Sequence, residues 1–146
     1  DGNKVELCLS AGHKTTKNIR ATGAFTVSFA DAANLVASDY VGLASANTEP
    51  KKMEKSGFHL TKSQFVNAPL IDELPVAMEC KLVKINEDGN VIGEIVNVSA
   101  DESVLGEDGN IDFSKFRPIS YEPVHNGYHV LGERIGTAFG DGMKLK

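Results

Sequence analysis

Hydrophobic and polar residues alternate in "VELCLS", with Val5, Leu7 and Leu9 on one side and Glu6, Cys8 and Ser10 on the other. A period of two is that of a half-buried strand. "TTKNIRATG" then reads as a short helix, capped by Thr15 or Thr16 and stopped by Gly23. "AFTVSFA" is a second strand, rich in β-branched and aromatic side chains. In "DAANLVASDYVGLAS", Ala32, Leu35 and Val36 recur at helical spacing behind Asp31, which is predicted to cap the helix. "EPKKMEKSGF" predicts a further helix beginning at Pro50 and ending at Gly57. "SQFVNAPLIDELP", punctuated by Pro69 and Pro75, reads as irregular.

The most regular pattern follows. "VAMECKLVKI" and "VIGEIVNVSA" are two long strand-like runs joined by "NEDGN", whose Asp88-Gly89 pair is a strong hairpin signal. Residues 76–86 and 90–100 are therefore expected to pair antiparallel, with Met78, Cys80 and Leu82 on one face. "GEDGNIDFSKFRPIS" reads as a loop, and "YHVLGERIGTAF" as a last strand running into a polar tail. No repeat or low-complexity segment interrupts the chain. The balance predicts a mainly β fold with short helices in the connections, a small barrel or sandwich built as a single domain over residues 1–146.

Composition narrows the partners. A chain of 146 residues with 41% hydrophobic and 24% charged residues is globular and long enough for a core. Its net charge of −5 argues against nucleic acid or an anionic membrane as the main partner. No apolar run approaches the ~20 residues of a membrane span. The opening "DGNKVELCLS" lacks a charged-then-apolar leader, so a cytoplasmic location is expected. The two cysteines, Cys8 and Cys80, each fall in a strand-like run and read as buried free thiols; a disulfide between them requires close Cα atoms.

Familiar chemistry is largely missing. His13, His59, His125 and His129 form no metal-ligand spacing, because Gly127 breaks the helical relation of the last two. There is no G-x-S-x-G elbow, no G-x-G-x-x-G, and no G-x-x-x-x-G-K-[ST]. No catalytic acid, base or nucleophile stands out. The loop "LSAGHKTTKN" remains. A helix start offers free N–H groups and partial positive charge, Thr15 and Thr16 add hydroxyls, Lys14 and His13 add cationic donors, and Gly12 permits close backbone approach. Such a set can cradle a phosphate. Spacing alone favours the plainer reading, an ordinary capped helix with a solvated lysine. A second polar loop, "SDYVGLASANTEPKK", holds Ser45, Asn47, Thr48, Lys51 and Lys52.

The ordered series "LSAGHKTTKNI…TGAFTVSFAD", "DYVGLAS…PKKMEKSGF", "FVNAPLIDELPVAMECKL", "IGEIVNVSADESVL…DGNID" and "RPISYEPVHNGYHVLGERIG" resembles the flavin reductase-like family, which includes the flavoredoxins. The resemblance runs from Leu7 to Lys146. It implies an FMN-binding split β-barrel, a homodimer with FMN near the subunit interface, and a phosphate-binding turn at Ser10, Gly12, His13, Lys14 and Thr15. Where many relatives carry arginines, Ser10 and His13 stand here. It also implies that Asp39, Tyr40, Val41, Ser45, Asn47 and Lys52 line or border the flavin pocket. Relatives carry roughly fifty residues before the equivalent of "VELCLS", among them the first barrel strands, so an N-terminally truncated barrel with open strand edges is expected.

The activity implied is that of an FMN-dependent oxidoreductase passing electrons from NAD(P)H through FMN to an acceptor. The alternatives are a flavoredoxin-type carrier loaded by a redox partner protein, and a binding module without flavin. In the first two readings the flavin carries the chemistry and the chain supplies binding and orientation.

Overall fold

A computed structural model of the chain describes residues 2–146. Its strands are β1 (Lys4–Leu7), β2 (Ala24–Ser28), β3 (Leu60–Lys62), β4 (Pro69–Ile71), β5 (Val76–Ile85), β6 (Val91–Ala100), β7 (Ile119–Glu122) and β8 (Gly127–Val130). Among the described residues three α-helices lie in the connections, α1 (Lys14–Thr22), α2 (Leu35–Leu43) and α3 (Lys52–Ser56), and short 3-10 turns follow at Glu102–Val104 and Asp141–Leu145. No helix among the described residues is long and apolar enough to cross a membrane.

The expected hairpin is the axis of the fold. β5 and β6 pair antiparallel from Val76↔Ala100 to Ile85↔Val91, and the main chain closes the turn with Asn86 N–H donating to the Asn90 carbonyl at 2.8 Å. Gly89 sits at φ 94°, a conformation that a side chain resists. β1 adds to the free edge of β6 and β2 to that of β5, giving the order β1-β6-β5-β2. Two irregularities, at Glu79/Cys80 and Leu82/Lys84, bend this ladder. The hairpins β3–β4 and β7–β8 stand outside this sheet.

Alternation decides what the sheet buries. Phe25, Cys80 and Val91 form the core with Ile19 of α1, and Val5, Leu7, Met78, Leu82 and Ile95 pack against it. Gly93 lets the strands close over Phe25: a Cβ there would lie 2.7 Å from Phe25 Cε1 and 3.3 Å from Cys80 Cβ. A second, smaller cluster of Val76, Val104 and Phe116 fastens the long loop after β6.

Several expectations need correction. Neither Thr15 nor Thr16 caps α1; the capping position belongs to His13, while Gly23 ends the helix at φ 66° as expected. Thr16 is buried and its hydroxyl turns back to donate to the Ser10 carbonyl at 2.7 Å. Asp31 lies three residues ahead of Asn34, the capping position of α2, and accepts from its N–H and side-chain amide at 2.9 Å. "SQFVNAPLIDELP" is not wholly irregular: it contains β4, paired to β3. The last strand ends at Val130, short of Phe139. Both cysteines are free thiols, but Cys8 is exposed, and only Cys80 is buried. Burial, then the neighbouring Glu79 charge, pushes the Cys80 thiol above its usual range, so it behaves as a core residue.

Gly93→Ala should destabilise the protein by about 1–3 kcal/mol, the usual cost of forcing atoms into a packed core. Urea unfolding checks it; an unchanged midpoint would show that Phe25 yields freely.

Candidate functional site

The site begins where β1 runs out and the chain turns into α1. Ser10 carbonyl holds that turn, accepting from His13 N–H at 3.1 Å and from Thr16 hydroxyl at 2.7 Å. With Thr16 committed backwards, no side chain caps α1. Its first-turn N–H groups are left with the partial positive charge of the helix end. The His13 ring and Lys14 stand beside them, exposed, and no carboxylate pairs with either among the described residues.

The second polar segment is brought to the first by one amide. Asn47 Nδ2 donates to the Gly12 carbonyl at 2.9 Å, and Lys17 Nζ donates to Asn47 Oδ1 at 3.2 Å. Residues 35 positions apart in sequence are thereby clamped together. Ser45 shapes the same loop, its carbonyl accepting from Thr48 and Glu49 N–H. Lys52, from α3, donates to the Val41 and Ala44 carbonyls at 2.9 and 3.0 Å, where a cation suits the C-terminal end of α2. An ammonium carries three protons, so one remains for the cavity it borders.

Between these walls lies an open cleft of about 620 Å³. His13, Lys14 and Thr15 line one side, Val41, Ser45 and Lys52 another. Ser10, Gly12 and Asn47 stand behind the lining and hold it through their main chain and amide. Asp39 and Tyr40 lie away from this cleft. Asp39 accepts from Tyr128 hydroxyl at 2.7 Å, joining α2 to β8, and that bond raises the Tyr128 phenol above its usual range. Tyr40 borders a separate groove with Val36 and Lys55.

Sequence reading missed the remaining wall. Leu60, Pro69 and Ile71 of the β3–β4 hairpin give an apolar face, and Asn18, Thr26 and Met53 are among the other lining residues. Asn18 lies one helical turn beyond Lys14 and was legible as its neighbour. Thr26 lies between the core-facing Phe25 and Val27 and faces outward by strand alternation. Strands of three residues leave no readable period, so the hairpin wall carried no signal.

That wall is tied down by side chains. Thr26 hydroxyl donates to the Pro69 carbonyl at 2.6 Å, and Thr61 hydroxyl to Asp72 at 3.0 Å. At the foot of the hairpin His59 Nδ1 meets Glu73 Oε1 at 2.5 Å, and His59 N–H donates to the same carboxylate at 2.9 Å. The hydrogen bond to Glu73 raises the His59 pKa, and the bond from His59 lowers that of Glu73.

With this geometry in view, comparison with known proteins assigns the family. Residues 3–123 match the model of the flavin reductase like domain, and the chain belongs to that family. It superposes on the flavoredoxin of Desulfovibrio vulgaris (Miyazaki F) with a TM-score of 0.90 and 34% identity, covering 95% of this chain and 75% of that one. On the flavoredoxin from Methanosarcina acetivorans the values are 0.85 and 27%, covering 98% and 75%. An uncharacterised protein of Aquifex aeolicus (strain VF5) is 33% identical over 101 residues, 67% of this chain and 47% of that protein. The chain thus spans about half the length of the curated relatives it matches. The fold is the split barrel of this family, mainly β with short helices in its connections.

The His59–Glu73 pair should brace the hairpin only within a pH window. The Glu73 contribution is present above its ordinary carboxylate range and fades as pH falls through its lowered value. The His59 contribution is complete below the ordinary histidine range and fades as pH rises through its raised value. Proton NMR titration should find His59 titrating later than in the Glu73→Gln variant; identical curves would exclude the coupling.

Proposed function

We propose that this chain is an FMN-binding oxidoreductase domain that passes electrons from NAD(P)H through FMN to an acceptor. The observation carrying the reading is the junction of an uncapped helix start, His13 and Lys14 with no carboxylate partner among the described residues, and Thr15 on one side of a cleft whose far wall is apolar. A ligand with a dianion at one end and a flat, largely apolar ring at the other matches that polarity. Flavin mononucleotide is such a ligand. The family assignment and the likeness to two flavoredoxins support the flavin over other phosphates. When bound, FMN supplies the redox chemistry. The chain's own part is to hold and orient it.

In this reading Thr15, Lys14, His13 and the first-turn N–H groups of α1 take the phosphate, while Ser10, Gly12 and Asn47 fix the turn that presents them. Val41, Ser45 and Lys52 border the ring half. Asp39 and Tyr40 act at a distance through α2. The whole chain serves as one flavin-binding domain.

The likeness to flavoredoxins favours a second reading, an electron carrier reduced by another protein rather than by NAD(P)H. Bleaching of the flavin absorbance by NADH or NADPH alone separates the two.

We further propose that the domain works as a homodimer. α2 carries Leu35, Val36, Ala37, Val41 and Leu43 yet buries no residue, with Val36 83% and Leu43 78% exposed. A helix of that composition is normally covered.

Thr15→Ala should weaken FMN binding about tenfold, since losing a hydrogen bond to a charged group costs roughly 1.5–3 kcal/mol. Riboflavin, which lacks the phosphate, should bind the variant as it binds wild type. Equal losses for both flavins, or none for either, would remove the phosphate from this turn. Sedimentation velocity at micromolar concentration should return a dimer, and a stable folded monomer there would refute the assembly.

A further inference from the structure

Glu79 is a carboxylate sealed inside the protein at 1% exposure. It points away from the Phe25–Cys80 core, and among the described residues no Lys, Arg or His pairs with it. A charge withdrawn from water persists only where hydrogen bonds replace its hydration. Glu79 has two such bonds. Asn97, its cross-strand partner on β6, donates from Nδ2 to Oε1 at 2.6 Å, and Ser63 hydroxyl donates to Oε2. Asn97 and Ser63 both donate, so the residue between them must offer two acceptor oxygens, as a carboxylate does and an amide does not, and the demand for that second acceptor calls for an explanation.

Ser63 supplies one. Its single hydroxyl proton is committed to Glu79, which leaves both lone pairs of Oγ turned elsewhere. They accept from Phe65 N–H at 2.9 Å and Val66 N–H at 3.0 Å. Ser63 N–H in turn donates to the Ala68 carbonyl at 3.1 Å, and Ala68 N–H to the Val66 carbonyl at 2.9 Å. The whole connection from β3 to β4 is thereby wound around one hydroxyl, and that hydroxyl is anchored to the central sheet by Glu79. β3 and β4 carry Leu60, Pro69 and Ile71 on the cleft. The geometry points to Glu79 as a positioning residue for the ring half of the flavin site, acting through Ser63 on the β3–β4 wall. This rests on the flavin reading of the cleft.

Three variants of the full chain test it: Ser63→Ala, Glu79→Gln and, as a control at the other end of the cleft, Thr15→Ala. Amide exchange is measured without flavin, and FMN and riboflavin are titrated at a temperature well below each melting midpoint. Ser63→Ala should speed exchange at Phe65 and Val66 and weaken FMN and riboflavin by the same factor, about tenfold. Glu79→Gln offers one acceptor oxygen where Asn97 and Ser63 each need one, so it should also weaken both flavins equally, whereas Thr15→Ala should lower the affinity for FMN alone. A tie that merely stabilises the fold would lower the melting midpoint and leave both affinities intact; that result, or unchanged exchange in Ser63→Ala, overturns the inference alone. Wild-type protein that binds neither flavin overturns the flavin reading and this inference with it.

Discussion

The β5–β6 ladder sets the position of nearly everything near the cleft. Its two ten-residue strands are the middle of the sheet, and each outer strand hangs from one of them, β1 from β6 and β2 from β5. α1 is the connection between those outer strands, so its start is located by the ladder at one remove. The helix is pinned from within by Ile19 against Phe25 and Val91, and at its start by Thr16 on the Ser10 carbonyl. Packing and hydrogen bonding together thus hold the first turn of α1 in place, with His13, Lys14 and Thr15 lining the cavity. Pre-organised donors of this kind bind an anion without a further ordering cost.

The opposite side of the cleft is built differently. The β3–β4 hairpin shares no ladder with the sheet and is joined to it by side chains, Thr26 to Pro69 and Glu79 to Ser63. Side-chain ties of this kind can be altered one at a time, unlike a ladder in which neighbouring bonds support each other. One wall of the site is therefore fixed by the fold, and the other by a few replaceable residues.

What could be read beforehand follows the same division. The β5–β6 pair was legible because alternation over ten residues and an Asp-Gly turn agree on one register. Gly23 and Gly57 marked helix ends because their left-handed backbone is a local matter. The caps were misread for a physical reason: Thr16 bonds back to the Ser10 carbonyl, six residues away, and Asp31 closes the turn that ends at Asn34, just ahead of α2. Cys8 was expected inside because it falls in a strand-like run, yet it is exposed on the polar side with Glu6, the side to which the alternation itself assigns it. Glu79 was invisible for the opposite reason, since a charged residue in an alternating strand reads as solvated until the turn that covers it is known. The resemblance carried the location of the cleft, and the structure added Asn47 as the link between its two polar segments.

The stretch from Leu7 to Ala30 contains Lys14, Lys17 and Arg20 and no acidic residue, inside a chain whose net charge is −5. Lys14 lines the cleft and Lys17 is bonded to Asn47 beside it, which gives a small positive region at one end of the cleft on a chain of net negative charge. At physiological ionic strength such a field reaches about 8 Å before it is screened. If the cleft takes a dianion as proposed, the ligand would be drawn in over the last molecular diameter of its approach, whereas a neutral ring of the same shape would arrive by diffusion alone. The charge pattern thus bears on the rate of capture as well as on its strength, and added salt would slow the entry of a phosphate far more than that of an uncharged analogue.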